Sequence, residues 1–269
     1  MAEIELKFQN KHFAIIYLNL PEKRNPLTVS LVVAFKETLA SLRKNRTLKV
    51  LGITGNGKAF CAGADLEGLR QMQNNSEEEN FADGKRLAEL YEMLWHFPIP
   101  VIGIINGSAI AGGLGLLSTL DYNIAAESEN ALFGFSEVRI GFVPAIISNF
   151  LLRKLPGHLA RWLLISGQLF NLHKAVEYGL IQETVSPGEL MPRSLELANQ
   201  LIKNNSRVAM QQTKELLNSI GEFNLSDGIT RAIEINTIAR GTDACKVGIQ
   251  AFLEKKRVDW KEIDGELSE

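Results

Sequence analysis

Apolar residues recur along this chain with two periods, one suited to strands and one to helices. Residues 13–20 are rich in β-formers and read as a strand. Residues 21–26 make a charged turn bounded by Pro21 and Pro26. Thr28 can cap the helix that follows, where Val32, Phe35, Leu39 and Leu42 are three or four residues apart. Residues 49–54 form a short apolar strand ending in the turn signal Gly55-Asn56-Gly57. Residues 71–80 are largely polar and are expected to be an exposed, mobile loop. Leu87, Leu90, Tyr91 and Leu94 share one face of a second helix, which Pro98-Ile99-Pro100 stops. Strands are predicted at 101–105, 122–126 and 131–133.

Strands and helices thus alternate to about residue 135, which favours an α/β fold with crossover connections. Beyond Glu137 the character changes. Residues 153–165, 174–178, 192–203, 207–220, 229–240 and 246–255 all read as helices. No internal repeat and no Pro-, Gly- or Ser-rich linker divides the chain.

Composition narrows the possibilities. The 269 residues suit one large domain, or one domain with a helical appendage, with a core that needs no disulfide or metal. Lys plus Arg number 29 against 31 Asp plus Glu, a formal charge of −2 without any dominant like-charge run. Nucleic acid and acidic membranes are therefore not expected partners. Cys61 and Cys245 are far apart and fit neither a disulfide framework nor a zinc site, so both are expected to be free thiols in a reducing compartment. The first residues lack the basic-then-apolar pattern of a signal peptide. Residues 101–120 are the most apolar stretch, but five glycines and Asn106 mark a strand, a turn and a helix start rather than a membrane span.

Several chemistries can be set aside. Gly52, Gly57 and Lys58 have the spacing of a phosphate-binding loop, but Ala59 stands where a Ser or Thr would hold magnesium, and a hairpin-like turn is expected instead. His12, His96, His158 and His173 are not at metal-ligand spacing, and no metal is expected. Ser108 is preceded at two residues by Asn106, not Gly, so no nucleophile elbow is present.

Two segments rich in small residues follow strands: 60–66, Phe-Cys-Ala-Gly-Ala-Asp-Leu, and 106–116, Asn-Gly-Ser-Ala-Ile-Ala-Gly-Gly-Leu-Gly-Leu. Small residues let a ligand approach the backbone closely. Two such loops that converge can aim two N–H groups at one carbonyl oxygen, an oxyanion hole. The same composition also serves close helix–strand packing, and the segments alone leave both readings open.

Together with residues 133–144, Phe-Gly-Phe-Ser-Glu-Val-Arg-Ile-Gly-Phe-Val-Pro, these segments resemble the enoyl-CoA hydratase/isomerase (crotonase) family. The resemblance runs from the 21–27 turn through residues 169–180 and returns at 251–257, so it covers nearly the whole chain. It implies an α/β fold with a crotonase-like ββα spiral core over residues 1–195 and a helical trimerisation region over 196–269. It implies that the Ala64 and Gly112 N–H groups are the oxyanion donors. Backbone around Ala62, Ala64, Asp65, Leu66 and Gly112 would meet coenzyme A, with Arg24 near its phosphates. Lys255, Lys256 and Arg257 fall where the family lends contacts to a neighbouring subunit. Coenzyme A is expected as part of the substrate and no separate cofactor is implied. The expected assembly is a homotrimer or a dimer of trimers, in the cytoplasm.

One departure matters chemically. Two-carboxylate hydratases of the family carry Glu at the position of Gly115, and their second Glu matches Glu137. Glu137 is thus the expected sole catalytic carboxylate, its pKa raised in an apolar pocket of Phe133, Phe135, Ile140, Phe142 and Val143. No residue nearby in the sequence replaces the missing Glu. One carboxylate suits a double-bond isomerase or a decarboxylase, and it can also serve hydration by taking a proton from water and returning it. Residues 112–116, 134–139 and 143–148 are similar to bacterial hydratases of methylglutaconyl-CoA in leucine catabolism, which also carry Gly at that position. The expected activity is hydration or dehydration of a short, branched or carboxylated enoyl-CoA. The alternatives are the isomerase, the decarboxylase and an acyl-CoA-binding scaffold.

Overall fold

Each strand-forming stretch of the central chain is split in two, and the halves go to different sheets. The computed structural model describes residues 2–221 and 223–263. The chain begins with β1 (Ile4–Asn10), β2 (Phe13–Leu18) and α1 (Val29–Arg43). Three strand pairs follow. The first is β3 (Val50–Gly55) and β4 (Ala59–Cys61), leading into α2 (Leu66–Met72) and α3 (Glu77–Trp95). The second is β5 (Val101–Ile105) and β6 (Ser108–Ile110), leading into α4 (Gly112–Ser118). The third is β7 (Tyr122–Ala126) and β8 (Leu132–Gly134), leading into α5 (Ala145–Lys154) and α6 (Gly157–Ser166). Then come β9 (Phe170–Asn171), α7 (Leu172–Glu177) and β10 (Glu183–Val185). The chain closes with α8 (Leu190–Asn204), α9 (Arg207–Ile220), α10 (Leu225–Gly241), α11 (Asp243–Leu253) and α12 (Trp260–Ile263).

The larger sheet has the order β1-β2-β3-β5-β7-β10 and the smaller one β4-β6-β8-β9. Pairing is parallel except at β1–β2 and β8–β9. Each of the three central pairs therefore adds one strand to each sheet, and helices carry the crossovers that parallel pairing needs. The result is an α/β spiral core followed by helices.

Side-chain alternation explains why the large sheet is covered on both faces. Ala14, Ile16 and Leu18 of β2 join a core with Leu31 and Phe35 of α1 and Leu90 and Leu94 of α3. Phe13 and Ile15 point the other way, to Val50, Ile102, Ile104 and Ile124, where Leu190, Ala198 and Ile202 of α8 cover them. The helix α8 runs unbroken across the expected boundary between residues 195 and 196.

The structure corrects three local expectations and adds a strand. Residues 71–80 are not one loop: α2 fills their start, and α3 begins at Glu77. The cause is a capping box, in which the Glu79 N–H donates to Ser76 Oγ at 3.2 Å and the Ser76 N–H donates to Glu79 Oε2 at 2.7 Å. The helix expected at 153–165 is two helices, because Leu155 ahead of Pro156 is held extended. The turn at Gly55-Asn56-Gly57 makes no hairpin, since β3 and β4 belong to different sheets. β1 escaped the sequence reading, although Ile4, Leu6 and Phe8 alternate with polar residues. Among the described residues no helix is long and apolar enough to cross a membrane.

Candidate active site

The turn after β2 and the loop after β4 are built as one unit. Arg24 and Asn25 both take left-handed backbone, with φ of 63° and 54°. The buried Asn25 side chain holds this turn: its Oδ1 accepts from the Leu20 N–H at 2.9 Å, and its Nδ2 donates to the Asn56 and Ala59 carbonyls, each at 2.9 Å. The turn then fastens the next loop. The Ala62 N–H donates to the Arg24 carbonyl at 2.9 Å, and the Leu27 N–H donates to the Gly63 carbonyl at 2.7 Å. A trans peptide is planar, so its C=O and N–H point in opposite directions. Fixing the Gly63 carbonyl on Leu27 therefore turns the Ala64 N–H away from the turn. Asp65 caps α2, its Oδ2 accepting from the Gly68 N–H at 3.3 Å. Leu66 opens that helix; its side chain lies outside the described residues.

The second loop meets the first backbone to backbone. Gly63 has φ +85°, and a β-carbon there would come within 2.6 Å of the Ile110 carbonyl and 3.3 Å of the Gly112 nitrogen. A β-carbon at Gly113 would fall 2.2 Å from the Cys61 carbonyl. Only glycine permits these approaches. Ala111 is anchored by its N–H to the Gly134 carbonyl at 2.8 Å, and its own carbonyl accepts from the Gly115 N–H at 2.9 Å. By the same planarity the Gly112 N–H points out of the start of α4. Among the described residues neither the Ala64 nor the Gly112 N–H has a protein acceptor. The small-residue segments thus do more than pack: they converge and leave two donors free.

Glu137 lies in a 3-10 turn, Ser136–Ile140, closed by Gly141 at φ 76°. Its carboxylate oxygen Oε2 is buried and has no hydrogen-bond partner. Burial raises the Glu137 pKa above the ordinary carboxylate value, opposed by a hydrogen bond from its own backbone. The expected apolar wall is only half right. Phe133 and Phe135 are buried in the core, but Ile140, Phe142 and Val143 are 67%, 49% and 67% exposed. These three lie in and just after the short 3-10 turn that ends in left-handed Gly141.

Beside the Gly112 donor and Gly115 stands Tyr91. Its hydroxyl donates to the Gly112 carbonyl at 2.7 Å. Burial pushes its pKa well above the usual phenol value, and the Glu137 charge pushes the same way. A β-carbon on Gly115 would lie 2.8 Å from Tyr91 Oη and 3.2 Å from Ile147 Cδ1. The position of the missing Glu is therefore filled from α3 and α5. Tyr91 was legible only as a core residue, one of an apolar helical stripe; its signal was a polar tip in that stripe, which needs a partner when buried.

The structure gathers Ala62, Ala64, Asp65 and Gly112 with the Arg24 backbone, and it ties the Glu137 segment to them through Gly134 and Ala111. The Arg24 side chain is exposed beside this unit. Lys255, Lys256 and Arg257 are exposed past the end of α11, with Lys256 Nζ paired to Glu254 at 2.7 Å. The Cys61 thiol is buried and its pKa is raised by burial to about 12, so it is a neutral, inert neighbour. Among the described residues no three His, Cys, Asp or Glu side chains are grouped as a metal site would need.

Comparison with known proteins places the chain in a family. The sequence profile of the enoyl-CoA hydratase/isomerase family matches residues 9–263. The crotonyl-CoA hydratase of Syntrophomonas wolfei is 30% identical over 258 residues, covering 94% of this chain and 95% of that one. The 2,3-dehydroadipyl-CoA hydratase of Escherichia coli is 29% identical over 262 residues, covering 97% and 99%. A crystal structure of an enoyl-CoA hydratase from Bacillus anthracis superposes with a TM-score of 0.87 at 28% identity, over 96% of this chain and 99% of that one. The chain belongs to the enoyl-CoA hydratase/isomerase family and has its crotonase fold.

Proposed function

We propose that this enzyme hydrates a short enoyl-CoA, and dehydrates the 3-hydroxyacyl-CoA, with Glu137 as its one acid/base. The observation that carries this reading is the pairing of two unused N–H groups, at Ala64 and Gly112, with the buried, unpartnered Glu137 Oε2. The thioester oxygen sits between the two donors. Glu137 takes a proton from water as the oxygen bonds to the β-carbon, and the displaced electron pair moves onto the thioester oxygen as an enolate. The donors hold that charge, at roughly 3 kcal/mol each. The enolate then collects the same proton from Glu137 at the α-carbon, and the elements of water have been added.

Relatives named for crotonyl-CoA and 2,3-dehydroadipyl-CoA support a short-chain substrate, the second with a carboxylate on its acyl chain. A branched, carboxylated acyl group of the methylglutaconyl kind is the finer reading. Backbone at Ala62, Asp65 and Leu66 would take the adenine and pantetheine, with Arg24 near the phosphates, and coenzyme A enters only as part of the substrate. The site's single carboxylate favours double-bond isomerisation or decarboxylation as the second reading.

Exposed apolar side chains on α10 and α11, among them Ile229, Ile233, Ile249 and Phe252, support a homotrimer or a dimer of trimers. Two free cysteines go with a reducing, cytoplasmic setting. The test is turnover of crotonyl-CoA, methylglutaconyl-CoA and a 3-enoyl-CoA, side by side. Hydration of the first or second is expected. Turnover of only the 3-enoyl-CoA makes the enzyme an isomerase, and coenzyme A binding with no turnover at all leaves a scaffold.

A further inference from the structure

Gly115 leaves no side chain beside the reacting groups, yet the space along its missing Cα–Cβ bond is not apolar. Tyr91 Oη is 2.8 Å from where that β-carbon would stand and 3.1 Å from the corresponding point at Gly112. We propose that the Tyr91 hydroxyl is a second catalytic group of the hydration site, accepting a hydrogen bond from the water that Glu137 activates. This role rests on the hydratase reading and adds to it a residue that the sequence placed only in the core.

The hydrogen-bond inventory fixes what Tyr91 can offer. A phenol has one proton, and here it goes to the Gly112 carbonyl at 2.7 Å. What remains on Oη is acceptor capacity alone. Burial, with the Glu137 charge adding to it, holds the phenol neutral, so its proton stays where it is. The ring is fixed too: Phe150 meets it edge-on, centroids 6.0 Å apart and planes at 80°. Glu137, near enough for its charge to act on Tyr91, has its Oε2 buried with nothing to bond. Buried carboxylate oxygens are seldom left unpaired, and a water shared with a second acceptor satisfies this one.

The water then has both protons engaged, one on Glu137 Oε2 and one on Tyr91 Oη, and its lone pair is free for the β-carbon. Glu137 removes the first proton as the C–O bond forms. The second stays on the new hydroxyl, still directed at Tyr91, which neither gains nor loses a proton. Tyr91 supplies the geometry of a second acceptor without a second negative charge. The Cys61 thiol, buried nearby, is a weak acceptor and does not substitute.

The test separates attack by water from formation of the enolate. Exchange of the α-hydrogens of butyryl-CoA in deuterium oxide needs Glu137 and the two N–H donors, but no nucleophilic water. Tyr91→Phe keeps the ring against Phe150, and its folding is checked by thermal melting. In this variant hydration of crotonyl-CoA is expected to drop about 10–100-fold in kcat. Exchange and affinity for coenzyme A are expected to stay within about threefold of wild type. Equal losses in hydration and exchange would overturn the proposal and leave Tyr91 as a support for Gly112; so would hydration at the wild-type rate. Failure of the underlying reading looks different: wild-type enzyme that exchanges α-hydrogens but hydrates no enoyl-CoA removes the hydratase reading and this role together.

Discussion

The Leu27 N–H holds the Gly63 carbonyl at 2.7 Å, and through one rigid peptide plane it aims the Ala64 N–H. A donor at the site is thus set by a turn more than thirty residues earlier in the chain, itself braced by the buried Asn25. The Gly112 donor is set the same way, by the Gly115 N–H on the Ala111 carbonyl. Both donors are orientations of peptide planes, so the substitutions that disturb them are those that change backbone, not side-chain chemistry.

Gly63→Ala is the direct test. Its φ of +85° is strained for alanine, and the new β-carbon would press on the Ile110 carbonyl at 2.6 Å. Stability should fall by about 1–3 kcal/mol in denaturant melts. Losing one aligned donor should lower kcat by about 10²–10³-fold. Gly68→Ala is the control: it is helical, and its nearest contact would be 3.8 Å away. That variant should be as active as wild type and slightly more stable.

Much of this arrangement was legible in the sequence, for reasons that individual residues make plain. Glycines at 63 and 113 announce close backbone approach, because a β-carbon at either would run into a neighbouring carbonyl. The carboxylate at 137 stands out because Gly115 has no side chain to share its role. Tyr91 was hidden, since a helical stripe of Leu87, Leu90 and Leu94 describes burial and says nothing about where a phenol's tip ends up. The exposed places of Ile140, Phe142 and Val143 were hidden too: apolar identity indicates burial, but these three lie in and just after a short 3-10 turn. The break at Pro156 and the cap at Ser76 were written locally, but the first was passed over for helical periodicity and the second for the polarity of residues 71–80.

Ala111 carries a conformational cost. It sits at φ 49°, ψ −122°, a backbone conformation that favours glycine. Relief of about 1–3 kcal/mol of strain competes with the ~0.5–1 kcal/mol entropy that glycine loses on folding. Ala111→Gly is expected to stabilise by about 1 kcal/mol in urea denaturation. Activity should remain within about threefold, because the Gly112 peptide keeps its anchor. A destabilised variant would show that Ala111 is unstrained in solution.

Gly115→Glu restores the second carboxylate on paper and is expected to fail. Its β-carbon would meet Tyr91 Oη at 2.8 Å and Ile147 at 3.2 Å, both buried side chains. Overpacking of this kind costs about 1–3 kcal/mol, and hydration of crotonyl-CoA should fall rather than rise. Adding Ile147→Ala should return part of the stability, with a coupling above ~0.5 kcal/mol in a double-mutant cycle. Additive losses would mean that the pocket yields elsewhere, and a more active single variant would show room that the structure does not.

Glu137→Gln keeps shape and polarity but cannot move a proton. If Glu137 is the sole acid/base, kcat should fall about 10²–10⁴-fold with little change in coenzyme A ester binding. Burial raises the Glu137 pKa, which fixes the sign of two further effects. Hydration needs the ionised form to take a proton from water, so kcat/KM should climb with pH through a midpoint above the ordinary carboxylate value. Stability should move the opposite way. Below the unfolded-state pKa the carboxyl is protonated in both states and the native burial costs nothing. As pH rises through the raised native value, the carboxylate must ionise in a place poor in water, and that contribution is lost. Glu137→Gln has no proton to lose, so it should abolish the acidic limb of the rate profile and flatten the stability curve over the same window. Wild-type-like activity in this variant, within about threefold, would remove Glu137 from the mechanism, and an acidic limb that survives it would assign that limb to another group.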